Sequence, residues 1–117
     1  LGFVNAPAVM QKAVAEALDA VVDLNEYKKR RDILYNHLTE IGFSCIKPQG
    51  AFYLFPKTPI EDDVEFTKIA MKHRLLVVPG SGFGTPGYVR LAYCLKMETI
   101  ENCLPAFTEL AKEFKLI

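Results

Sequence analysis

What most constrains this chain is the stretch 75–93: the apolar run LLVV, a turn-rich PGSGFGTPG, and a second apolar run, YVRLAY, carrying the single charge of Arg90. Apolar residues on both sides of closely spaced glycines and prolines spell strand, sharp turn, strand. Gly82, Gly84 and Gly87 match GxGxxG, but that motif holds a dinucleotide only where a helix N-terminus follows. Here Pro86 and a β-rich run follow, so the glycines are read as turn formers. On a strand, Tyr88, Arg90 and Ala92 share one face and Val89, Leu91 and Tyr93 the other. Arg90 can therefore face a cleft rather than the core. A guanidinium among apolar neighbours suits a two-point grip on a carboxylate, although an arginine on a strand is also commonly a solvated or salt-bridged surface residue.

The remainder reads as helices around that sheet. Asn5 and Pro7 suit a helix start, and Val9, Ala13, Val14, Ala17, Leu18, Val21 and Val22 recur at helical spacing. Leu24, Tyr27, Arg31, Leu34, Leu38 and Ile41 continue the pattern after a break near Asn25, and Gly42 ends it. Residues 43–46 and 51–55 are strand candidates close enough to pair antiparallel. The acidic run 61–63 starts a helix whose inner side holds Val64, Ile69 and Ala70, with Met71 a further candidate. A last helix carries Ile100, Cys103, Leu104, Phe107, Leu110, Ala111 and Phe114, with Pro105 expected to kink it or mark a later start. The order helix, helix, strand, strand, helix, strand, strand, helix predicts an α+β fold: one domain over residues 1–117, with a small mixed, partly antiparallel sheet of about four strands covered by helices.

Several chemistries are disfavoured. Fourteen basic and fourteen acidic side chains cancel, so no net field draws nucleic acid or an anionic membrane. The run Lys28, Lys29, Arg30, Arg31 fans around a helix axis and reads as a solvated face. Cys45, Cys94 and Cys103 match no metal or redox spacing and read as reduced thiols, at least two of them buried, in a soluble cytoplasmic protein. His37 and His73 are isolated, so no metal is expected. Ser81 lacks a GxSxG context and reads as a loop hydrogen-bonding residue. Phe52 and Tyr53 are adjacent on a strand; either can line an entrance, or both can be core aromatics.

PGSGFG followed by YVRLAY, with GAFYLFP at 50–56 and YKKRRDILYNHL at 27–38 upstream, resembles the C-terminal small domain of pyridoxal-phosphate-dependent aminotransferases of class I/II, the aspartate aminotransferase type. The resemblance runs from Leu1 to the C-terminus. It implies that Arg90 grips the substrate α-carboxylate, and that Phe52, Tyr53, Gly80, Ser81 and Gly82 lie near the cleft. It also implies a parent enzyme exchanging an amino group between an amino acid and a 2-oxo acid, working with its own large domain as a homodimer. The Schiff-base lysine for pyridoxal 5'-phosphate is expected upstream of the segment that residues 1–3 continue, so this chain supplies no catalytic or cofactor-binding residue and is expected to be inactive alone. A related lyase, such as a C–S lyase or decarboxylase, and a non-catalytic carboxylate-binding module are the competing readings.

Overall fold

A computed structural model describes residues 5–117, so the expectation for residues 1–3 lies outside the described residues. Four helices, α1 (Ala8–Glu16), α2 (Leu24–Glu40), α3 (Asp63–Lys72) and α4 (Met97–Glu113), accompany three short strands, β1 (Tyr53–Leu54), β2 (Val78–Pro79) and β3 (Val89–Ala92). A 3-10 turn, Gly80–Phe83, joins β2 to the loop before β3. The fold is α+β, as expected.

Local chemistry explains the helix ends. Asp23 caps α2 by accepting the Asn25 N–H at 2.9 Å, and Asp62 caps α3 by accepting the Glu65 N–H at 2.8 Å. Gly42, at φ 90°, takes the left-handed position that ends α2 and lets the Phe43 N–H reach back to the Leu38 carbonyl at 2.9 Å. Leu34 and Leu38 of α2, Phe66 and Ala70 of α3, and Ile100, Phe107, Leu110 and Ala111 of α4 are buried. They close on Leu54, Val89 and Leu91, the inner face of the sheet. Phe43 meets both Phe66 and Phe107 edge-on at 6.3 Å between ring centroids, which ties α3 to α4 at the centre of this core.

The sheet departs from expectation. Its order is β1-β3-β2 and both pairings are antiparallel, so it has three described strands rather than about four and is not mixed. Residues 43–46 form no strand: the Lys57 N–H reaches the Ser44 carbonyl at 2.8 Å, but Ile46 is 88% exposed with nothing to pack against. β2 begins only at Val78 and includes Pro79; on an edge strand the missing proline N–H costs no ladder bond. The first helix also stops early, at Glu16, because none of its residues is buried and spacing alone does not sustain a helix. Pro7 rather than Asn5 occupies its N-cap position. Of the thiols, Cys45 and Cys103 are half-buried and Cys94 is exposed, which corrects the expectation of two buried cysteines; partial burial pushes both half-buried thiols above their ordinary pKa.

Candidate functional site

The site begins with the central position of β3. Tyr53 pairs with Ala92 and Val78 with Arg90, so Tyr53, Val78, Arg90 and Ala92 share the outer face of the sheet while Leu54, Val89 and Leu91 face the core. That outer face stays open: Tyr53 is 38% and Val78 40% exposed. Arg90 and Tyr53 are among the residues lining a groove of about 430 Å³ between residues 74–78 and the start of α4.

The Arg90 guanidinium makes no ion pair and no hydrogen bond among the described residues. Its guanidinium carbon lies 4.5 Å from the centroid of the Tyr53 ring and 4.0 Å from that of Phe83. Aromatic faces attract the cation without consuming its N–H donors. In the middle of α2, Arg31 donates from Nε to Asp32 at 2.7 Å and from Nη1 to the Pro48 carbonyl at 3.1 Å, while Arg30 lies over the Tyr27 ring and approaches Glu26 at 3.7 Å, its buried Nε without a partner among the described residues. The basic run is thus committed to the helix and its neighbouring turn, with Lys28 and Lys29 exposed.

The glycine loop places Phe83. A side chain on Gly80 would meet the Thr85 carbonyl oxygen at 2.3 Å, so this position admits only glycine. There the Gly80 N–H bonds the Tyr88 carbonyl at 2.7 Å and its own carbonyl accepts the Thr85 N–H at 3.0 Å. The Ser81 N–H donates to the buried Asp63 carboxylate at 2.6 Å, latching the turn onto the first residue of α3. Gly84, left-handed at φ 73°, ends the turn.

Among the residues expected near a cleft, Tyr53 joins Arg90. Phe52 turns the other way and packs against Tyr27 of α2, 5.3 Å between centroids with the rings tilted by 48°, beside a separate concavity of about 250 Å³. Gly80 is buried inside the loop, and Ser81 and Gly82 are exposed at its tip. Phe83 and Asp63 were not legible as site residues: Phe83 lies in a turn without face periodicity, and Asp63 reads as a helix-start charge. His37 meets the Leu104 carbonyl at 2.9 Å and Thr108 at 3.1 Å, holding α2 to α4. All ten lysines are exposed and none lines the groove beside Arg90.

Comparison with known proteins gives this geometry its context. The family model for aminotransferase class I and II matches residues 1–107. An aromatic-amino-acid aminotransferase of Thermococcus litoralis is 37% identical over 92% of this chain and 31% of its own length. An aspartate aminotransferase of Pyrococcus abyssi is 36% identical over 92% of this chain and 31% of its own. The crystal structure of an amino transferase from Eubacterium rectale superposes with a TM-score of 0.85 at 42% identity, covering 97% of this chain and 28% of that one. The chain thus spans less than a third of the length of these relatives. A match over nearly its whole length, in sequence and in fold, means that the chain belongs to the aminotransferase class I and II family.

Proposed function

We propose that this chain is the C-terminal small domain of a pyridoxal-phosphate-dependent aminotransferase that moves an amino group between an amino acid and a 2-oxo acid, and that Arg90 holds the substrate α-carboxylate. The observation that carries this reading is a guanidinium on an open sheet face, beside a groove, with no carboxylate paired to it among the described residues. Its planar donors match a carboxylate in two parallel hydrogen bonds, which fixes how the rest of the substrate is presented. Charge attraction across the groove favours closure of the domain over the bound acid, and closure excludes water.

The family's cofactor, pyridoxal 5'-phosphate, supplies an electron sink for bonds at the substrate Cα. No lysine lines the groove at Arg90, so the residues of this chain do not fit the aldehyde end of that cofactor. Its lysine belongs to the large domain, and the complete enzyme is a cytoplasmic homodimer. This chain's own share of the work is to bind and orient the acid and to shield it.

In the complete enzyme, Arg90→Ala is expected to lower kcat/KM by a factor equivalent to about 2–5 kcal/mol of transition-state stabilisation, as cutting one half of a desolvated charged pair does. Steady-state kinetics with a series of amino acids measures it, and an unchanged kcat/KM rejects the role. Following 2-oxo acid product against elimination products in the same assays separates transamination from lyase chemistry, since anchoring a carboxylate does not choose which Cα bond breaks.

A further inference from the structure

We infer that Phe83 is a positioning residue for Arg90: with Tyr53 it forms a two-sided aromatic clamp that leaves only the edge of the guanidinium free, so that a flat carboxylate binds in the guanidinium plane. This rests on the reading of Arg90 as a carboxylate anchor. The ring centroids lie 4.0 Å (Phe83) and 4.5 Å (Tyr53) from the guanidinium carbon. The two rings come from different elements, Tyr53 from β1 and Phe83 from the 3-10 turn. Both remain substantially exposed, Phe83 at 48% and Tyr53 at 38%, so filling the core does not account for them.

Covering the faces of a guanidinium has two effects. It displaces water from the direction in which no hydrogen bond forms while keeping the in-plane N–H donors available. It also confines a long side chain to one arrangement before the ligand arrives, so less rotamer entropy is lost on binding. The fold invests in this placement. Gly80 permits the close turn, Gly84 supplies its left-handed end, and buried Asp63 holds the Ser81 N–H, which sets Phe83 against a side chain on a different element.

The test uses the complete holoenzyme and calorimetric binding of 3-phenylpropanoate, a monocarboxylate that carries no amino group. Phe83→Leu is expected to weaken binding about fivefold, whereas Phe83→Tyr, which keeps a ring face, stays within about twofold of the parent. Ring-dependent recovery is not what a generally damaged loop would give. If Phe83→Leu binds within twofold while Arg90→Ala loses more than tenfold, the clamp is wrong and the carboxylate role stands. Equal losses in Phe83→Leu and Phe83→Tyr also overturn the clamp. If Arg90→Ala itself binds within twofold, the underlying reading falls and the clamp with it. Should Phe83→Leu not fold, Tyr53→Leu on the open sheet face takes its place with Tyr53→Phe as the ring-keeping control, under the same criteria.

Discussion

A methyl group at Gly80 would lie 2.3 Å from one carbonyl oxygen and 2.7 Å from another, both on the backbone that the loop must close against. Gly80→Ala is therefore expected to cost about 2–3 kcal/mol of stability, since the strain cannot be relieved by turning a side chain. Urea unfolding measures it, and a loss below 1 kcal/mol would mean that the loop opens easily. Ala51 presents the opposite case. It holds φ 62°, where an alanine pays a steric cost, and the Tyr93 hydroxyl clamps its carbonyl at 2.6 Å. Ala51→Gly is expected to gain about 0.5–1 kcal/mol by removing that cost, less the extra freedom of the unfolded glycine; the same urea series reads it. These two positions also show what a sequence reveals at this scale. The orientation of Arg90 follows from a period of two, and Gly84 and Gly87, read as turn formers, do hold positive φ, whereas the crowding that requires glycine at Gly80 is visible only in the folded loop. Ala51 is not legible, because nothing in an alanine announces a left-handed backbone. Nor is Phe83, which reaches Arg90 through tertiary placement of a 3-10 turn.

Among the elements, α2 and α4 are visible in the sequence because their buried residues recur at helical spacing, and aspartates cap α2 and α3. The inner side expected for α3 is corrected, since Val64 and Met71 are 44% and 54% exposed and Phe66, three residues before Ile69, is the fully buried side chain. β1 and β2, two residues each, are too short to carry a pattern of their own, whereas the four residues of β3 keep the alternation read from the sequence. Pro105 misleads in one respect: α4 neither starts after it nor breaks there but runs from Met97 to Glu113. Proline removes a donor to the Glu101 carbonyl, and both residues are on the exposed side, where water can replace the lost bond. Pro105→Ala is accordingly expected to stabilise the chain by about 1–2 kcal/mol, the interior proline penalty less the gain in unfolded-state freedom, as a rise in the thermal midpoint. An ion-pair network joins α2 to the turn that precedes β1. Hydrogen bonds from Arg31 and then Lys47 hold the Asp32 carboxyl below its ordinary pKa of 3.8. A lowered folded pKa means that the contribution is present above 3.8 and is lost as pH falls through the folded value. Asp32→Asn should thus flatten the acid end of the stability profile while changing little between the variants once both are fully protonated; parallel acid titrations followed by circular dichroism check it.

At the scale of the molecule, the radius of gyration is 17.4 Å, against about 13 Å for a compact domain of this length. The excess lies where the sequence reads as a core-facing helix. Val9, Val14, Leu18 and Val21 carry the apolar spacing, yet they are 77%, 56%, 76% and 93% exposed. Periodicity reports that a surface is meant to be covered, not what covers it, and this part of the fold is legible only when the covering partner is known. The related proteins named above are more than three times as long as the region they share with this chain, so further chain is available to do so in them. An exposed apolar face of this kind favours association in water. The 117-residue chain alone is therefore expected to self-associate with rising concentration, and the double substitution Val14→Lys and Leu18→Lys to return it to a monomer without loss of the α2–α4 core. Sedimentation equilibrium reads the first and near-ultraviolet circular dichroism of the tyrosines the second. A parent chain that stays monomeric throughout would show that α1 folds back onto its own domain in solution.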